Sequence, residues 1–222
     1  WKQMRSIRED TEMLSAIGEL FDVALEGVPA RRGEASTGGE RFSIKYDVNN
    51  RPFVVVDEDI LKTVPQTKWI DTVKQTLARR FPNGVRVGSD TIKINSQTRR
   101  EFTYSEYTKW LGRNDKSAYA DKFRASSNVD EIILASHGYI NEGLKHARKD
   151  NIKDFARGGV LLRIGTTDYS ADVIVGTTAN GDMLLYDIVN LQRTNIQQKR
   201  SRHIVQSPLV GNRRSDISAI DN

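Results

Sequence analysis

The 222 residues predict an α+β protein. The expected core is a small antiparallel β-sheet, a meander of three to four strands with helices packed on one face, preceded by an N-terminal helix and a small β-hairpin/helix segment. Three observations carry this. Between Gly159 and Leu191 three apolar, alternating runs are separated by two short turn signals, Thr166-Thr167 and Asn180-Gly181, as consecutive antiparallel strands require. Upstream, apolar residues recur at three- and four-residue steps, the helical period. Those helical stretches precede the sheet, so they read as the layer that covers it or as a leader to it.

Composition bounds the rest. The length suits one generous domain with appendages and a proper core. The apolar classes make up 37%, and the 16 glycines raise this to about 44%, the low end for globular chains. Net charge is +5 and the pI is about 9.4, compatible with an anionic partner. The absence of cysteine excludes disulfides and thiolate metal sites. No apolar run approaches the ~20 residues of a membrane span, so no membrane partner is expected. A chain opening on Trp1 rather than Met reads as a piece of a longer polypeptide fused to further domains.

Taken in order, Lys2 to Gly27 has the spacing of an amphipathic docking or linking helix, with Met4, Ile7, Leu14, Ile17, Phe21 and Ala24 on one stripe. Val28 to Glu40 has linker composition, which sets a first segment at 1–40. Residues 41–98 form a hairpin/helix subdomain: FSIKYDV, a turn at Asn49-Asn50-Arg51-Pro52, then FVVV. The acids Asp57, Glu58 and Asp59 that follow read as a solvated turn with a cap at Asp59; oxygen ligation of a divalent metal is the alternative. Pro65 to Phe81 is a second helix, with Trp69, Ile70, Val73, Leu77 and Phe81 inward, closed by Pro82-Asn83-Gly84. Val85 to Ile94 supplies one or two short strands.

Residues 99–195 hold the core of the expected domain. Thr103 and Glu106 have capping-box spacing ahead of Tyr104, Tyr107, Trp110 and Leu111. These aromatics, beside Arg99, Arg100 and Lys109, could stack bases, but helical spacing argues for core. Ser127 and Asp130 suggest another cap before Val129, Ile132, Ile133 and Ala135. His137 falls near that helix end, where an imidazolium complements the C-terminus. Residues 196–222 are polar, basic and aperiodic, a disordered tail.

The sheet can be read residue by residue. A type I′ turn at Asn180-Gly181 pairs Ala179 with Asp182, Val175 with Tyr186 and Val173 with Ile188. A turn at Thr166-Thr167 pairs Ile164 with Tyr169 and Leu162 with Ala171. The period of two then puts Val160, Leu162, Ile164, Tyr169, Ala171, Val173, Val175, Leu184, Tyr186 and Ile188 on a core face. Leu161, Arg163, Ser170, Asp172, Ile174, Asp187 and Val189 fall on the other.

Ahead of the sheet stands a basic knot, Lys145-His146-Ala147-Arg148-Lys149. Imidazole suits proton transfer near neutral pH, and arginine and lysine suit a phosphate. Cleavage of RNA without metal needs a base for the 2′-hydroxyl, an acid for the leaving oxygen and cations for the phosphorane. His146 with Lys145, Arg148, Lys149 and Arg163 can supply most of this, and Asp172, Asp187 or a hydroxyl the remainder.

The runs PFVVVDEDIL, ADKFRASSNVDEI, NEGLKHARKDNIKDFARGGVLLR, DYSADVIVG and LYDIVNLQRT resemble the phage-associated nuclease domains of the barnase/EndoU/colicin/RelE group, the BECR fold. The resemblance spans about Arg41 to Asn195. It implies helices on one face of an antiparallel sheet, an RNA site on the other, and fusion within phage or mobile-element polypeptides. It further implies an RNA-cleaving toxin or effector acting in bacterial cytoplasm and opposed by a cognate immunity or inhibitor protein. No cofactor is called for. The catalytic set is then His146, Lys149, Arg163, Ser170, Asp172 and Thr194, with Lys145, Arg148, Lys153, Arg157 and Arg193 binding RNA. The second histidine of EndoU-type members has no counterpart in His137 or His203. A non-catalytic nucleic-acid- or protein-binding module is the alternative.

Overall fold

The computed structural model describes residues 43–143 and 151–197. The helix expected over Lys2–Gly27, the 28–40 linker and the tail beyond Gln197 lie outside the described residues.

Strands β1 (Ile44–Tyr46) and β2 (Pro52–Val56) form the expected hairpin. Its turn closes on Asp47, whose carboxylate accepts from the backbone of Asn49 and Arg51, with Asn50 at φ 63°. Helix α1 (Trp69–Arg80) buries Val73 and Leu77 and stops before Gly84, at φ 76°. A minor hairpin follows, β3 (Val85–Val87) and β4 (Asp90–Ile92). Four helices come next: α2 (Ser96–Tyr104), α3 (Glu106–Asn114), α4 (Lys116–Arg124) and α5 (Val129–Ala135).

The caps differ from those expected. Asn95 and Thr98 form the capping box of α2, Ser105 caps α3 and Asp115 caps α4. The Thr103 hydroxyl donates back to the Arg99 carbonyl at 2.7 Å, the local bond that competes with capping. The Ser127 hydroxyl likewise donates to the Arg124 carbonyl, and α5 starts without a side-chain cap.

Four strands complete the chain: β5 (His137–Asn141), β6 (Ile152–Ile164), β7 (Thr167–Thr178) and β8 (Met183–Arg193). His137 therefore opens a strand, although its Nδ1 still lies 3.3 Å from the Ala135 carbonyl at the end of α5. The sheet is larger than a four-strand meander. Its six strands run β1-β2-β6-β7-β8, with β5 alongside β6 on the edge that β2 also uses. The β2–β6 pairing is parallel, Val54 opposite Leu162 and Val56 opposite Ile164. An unbroken apolar run, PFVVV, serves this because β2 is covered on both faces. Segments on both sides of residue 98 thus enter one sheet. One core joins Val54, Leu162, Tyr169, Val173 and Ile188 to Leu77, Phe102, Leu111, Phe123 and Ile132 of the helices.

Both turns of the β6–β7–β8 meander depart from the expected register. The first uses Gly165 (φ 59°) and Thr166, so Leu162 faces Tyr169 rather than Ala171. A displacement of two residues preserves the faces of β6 and β7. The second loop has three residues rather than two: Thr178 N–H donates to the Asp182 carbonyl, and only Gly181 takes positive φ, at 85°. Val175 then pairs with Leu185 instead of Tyr186, and a bulge between Ile174 and Val175 restores Val173 opposite Ile188. The one-residue slip moves Leu184 and Tyr186 to the far face, where they cluster with Ile152, Phe155 and Ile174. It also turns Asp187 toward the helices, against Lys122.

Candidate active site

The face of the sheet turned away from the helices has a polar centre flanked by two apolar clusters. On one side Phe53 and Val55 hold Ile196, and on the other lie Ile152, Phe155, Ile174, Leu184 and Tyr186. Between them Arg157 on β6 donates to Glu142 at 2.6 Å and to Asp172 on β7 at 2.7 Å. The same Asp172 oxygen accepts from Asn190 on β8 at 2.7 Å. Asn190 takes φ 55°, a conformation that asparagine tolerates better than most residues, at the bulge between the Asp172–Val189 and Ser170–Gln192 pairs. The carboxylates bonded to Arg157, Glu142 first, hold its guanidinium above the ordinary range against the opposing effect of burial.

Gly159 lies in the floor of this cluster, opposite Asp172 and two pairs from Ser170 on β7. Three strand glycines bear on the region, and they differ. A Cβ on Gly158 would stand 2.5 Å from the Tyr139 ring, and one on Gly176 would touch Ile152 and Phe155. A Cβ on Gly159 would meet, among the described residues, nothing closer than the His137 carbonyl at 4.0 Å. The backbone at Gly159 is therefore open, a shallow hollow where the side chain is missing, on the sheet face that also carries Arg157, Ser170 and Asp172, and a ligand can approach it there.

The other residues named from sequence are distributed as follows. Arg163 shares the far face, but its guanidinium makes two bonds to Asp168, one to the Ile196 carbonyl at 3.0 Å, and lies over the Phe53 ring. It clamps the chain segment after β8 to the sheet. Thr194 belongs to that segment, its N–H donating to the Asp168 carbonyl. Arg193 is exposed and paired with Asp115, and Lys153 is exposed near the start of β6. Lys145, His146, Arg148 and Lys149 lie outside the described residues. That stretch is bracketed by Gly143, next to Glu142, and by Asn151. Arg163 lies twelve positions of extended chain beyond Asn151, roughly 40 Å away. Arg157, bonded to Glu142, is the named cation beside the bracket.

Asp187, expected on the polar face, is instead sealed on the helix side. It accepts from Lys122 Nζ at 2.6 Å and from Ser105 at 2.7 Å, and Lys122 also donates to Thr108 at 2.7 Å. Burial pushes the Asp187 carboxyl up and the Lys122 ammonium down from their ordinary values. Every polar atom of the pair has a partner, as a buried pair requires. Sequence offered no signal for Lys122, since lysine on a helix ordinarily reads as exposed.

The acids after β2 are also accounted for. They rim a cleft of about 310 Å³ with Ser117, Asp121, Arg124 and Thr166. Glu58 is bonded to Arg80 and Asp59 to Arg124, while the Asp59 carboxylate caps the turn at Leu61. Among the described residues no three His, Asp or Glu side chains are grouped to hold a metal ion. No described helix is long and apolar enough to cross a membrane.

Chemically, the far-face centre offers a fixed cation, two carboxylates, a hydroxyl and an open floor. Neither a family model, nor a curated protein, nor a solved structure matches this chain.

Proposed function

We propose that this chain is a metal-independent, RNA-cleaving domain of the BECR kind, acting as a toxin or effector within a larger phage or mobile-element polypeptide. The observation that carries this reading is the Gly159 hollow, on the sheet face that also carries Arg157, Ser170 and Asp172, beside the bracket of the basic segment. In this reading Asp172 accepts the proton of the 2′-hydroxyl, and that oxygen attacks the adjacent phosphorus. His146 donates a proton to the departing 5′-oxygen, so the products are a 2′,3′-cyclic phosphate and a free 5′-hydroxyl. Arg157, with Lys145, Arg148 and Lys149, stabilises the charge that grows on the phosphorane. A cognate inhibitor would act by covering the same hollow.

Incubation with single-stranded RNA in EDTA tests the proposal. Cyclic phosphate ends should appear, and His146→Ala should abolish them while the circular dichroism spectrum stays unchanged. Cleavage that requires Mg²⁺ or Mn²⁺ contradicts it. A second reading, a non-catalytic nucleic-acid- or protein-binding module, is favoured by one observation: Arg157 is already bonded to two carboxylates. RNA binding that survives His146→Ala, falls with salt and yields no cleavage under any condition would establish that reading instead.

A further inference from the structure

Helical spacing argued for burying Tyr104, Tyr107 and Trp110 in the core; Tyr107 packs against it, whereas Tyr104 and Trp110 do not. Trp110 is 51% exposed and Tyr104 is 47% exposed. Lys74 lies 4.6 Å over the Tyr104 ring and occupies that face. Tyr107 is wedged between α3 and the sheet. Its hydroxyl accepts from the Leu191 N–H of β8 at 2.6 Å, and Lys122 lies 5.3 Å over its ring. Trp110 stands nearly parallel to Tyr107, with 16° between the planes and 6.3 Å between centroids. Among the described residues the remaining face of the indole has no ring or cation against it. A half-exposed indole lying nearly parallel to a partly buried ring, with no other ring or cation on it among the described residues, has the form of a base-stacking platform.

Position and charge agree with that use. Leu191 is the neighbour of Asn190, whose side chain donates to Asp172 at the rim of the hollow. The platform therefore stands on the helix side of the edge strand β8, and a strand of RNA reaching the hollow on the opposite face passes round β8 and across β7. Lys109 and Arg113 are exposed on the same helix, and Lys116 and Arg193, the latter paired with Asp115, are exposed near its C-terminal end. The carboxylates in the same stretch, Glu106 and Asp115, pair with Lys109 and Arg193. Arg113 follows Trp110 by three residues, on the same helix face. Four cations against two carboxylates leave a positive surface beside an open aromatic face, which suits a polyanion whose bases are unpaired. In a duplex the faces of the bases are already stacked.

We propose that Trp110, braced by Tyr107, binds one unpaired base of single-stranded RNA whose backbone crosses β8 toward the Gly159 hollow. The direction of that strand rests on the ribonuclease reading; the stacking site does not.

The test uses a labelled single-stranded RNA of about ten nucleotides, 2′-O-methylated to block cleavage, and a duplex of the same sequence, by fluorescence anisotropy in EDTA at fixed salt. Trp110→Ala should weaken single-strand binding about tenfold and leave duplex binding unchanged. Trp110→Phe should restore most of the loss, and Trp110→Leu, apolar but without a π face, should not. The stacking site is overturned if Trp110→Ala binds the single strand like the parent chain, if both RNAs weaken alike, or if the parent chain binds no RNA. Cleavage of unmodified RNA separates the two claims. Loss of binding in Trp110→Ala beside a parent chain that never cuts keeps the stacking site and removes the nuclease. Cutting by both chains with the same KM does the reverse.

Discussion

Two ion-pair clusters lie on opposite faces of one sheet and are built differently. Lys122 and Asp187, on the helix side, are 0% and 2% exposed, and Ser105 and Thr108 satisfy what remains of their hydrogen bonding. Arg157, Glu142 and Asp172, on the far side, keep 31%, 22% and 28% exposure. Adjacent glycines repeat the contrast: the missing side chain of Gly158 is taken up by the Tyr139 ring, whereas that of Gly159 leaves a hollow. Charge sealed from water serves architecture, because nothing can reach it. Charge left partly wet beside an open floor can meet a ligand.

Single substitutions should separate the faces. The largest expected effect is that of Lys122→Ala, which leaves the Asp187 carboxyl buried without its cation. It should cost about 3–5 kcal/mol in urea unfolding. The double change Lys122→Met with Asp187→Leu should cost much less, since burial of charge is then relieved at both ends. Arg157→Gln should scarcely move the unfolding midpoint, because Glu142 and Asp172 can turn to water. Under the proposed function it should slow RNA cleavage about a hundredfold, a loss visible in initial rates.

A smaller stability loss is expected for Gly158→Ala. The added methyl must displace the Tyr139 ring, whose hydroxyl is bonded to Ser136, at a cost of about 1–3 kcal/mol in the same measurement. The smallest effect belongs to the clamp at Asp168. Burial raises its carboxyl, but the bonds from Arg163 and the Ile196 N–H outweigh this and hold it below the ordinary value of 3.8. A depressed folded-state pKa contributes stability above the unfolded value and loses it as pH falls through the folded one. The parent chain should therefore lose stability below about pH 4. Asp168→Asn should start slightly less stable at pH 7 and show a shallower acid slope, read by denaturant titrations at pH 7, 4 and 2.5.

Sequence carried the local elements and missed what depends on distant contacts. The β1–β2 hairpin, α1 and the faces of β6 and β7 followed from period and turn residues, because those are local properties. The first half of β8 did not, since the Asn180-Gly181 signal gave a two-residue loop where three residues turn the chain, and that one-residue slip reverses the side chains up to the bulge that restores Ile188. The parallel partner of β2 was legible only as an unbroken apolar run. His137–Asn141 resembled a helix exit because its strand character comes from pairing with β6, with Ile140 69% exposed. For the candidate site, Asp172, Ser170 and Arg157 were named from sequence, while Glu142, Asn190 and Gly159 were not. A glycine becomes a floor only through its neighbours, and a tandem Gly158-Gly159 gives no sign of which residue is filled.

Gly159→Val most directly tests the proposal that the hollow over Gly159 admits the scissile phosphate. Valine suits a strand and its Cβ meets nothing closer than the His137 carbonyl at 4.0 Å, so the unfolding midpoint should stay close to that of the parent chain. Its branched side chain would fill the floor between Arg157 and Asp172, and cleavage of single-stranded RNA in EDTA should fall below a hundredth of the parental rate. A folded Gly159→Val chain that cuts RNA as fast as the parent would contradict the account.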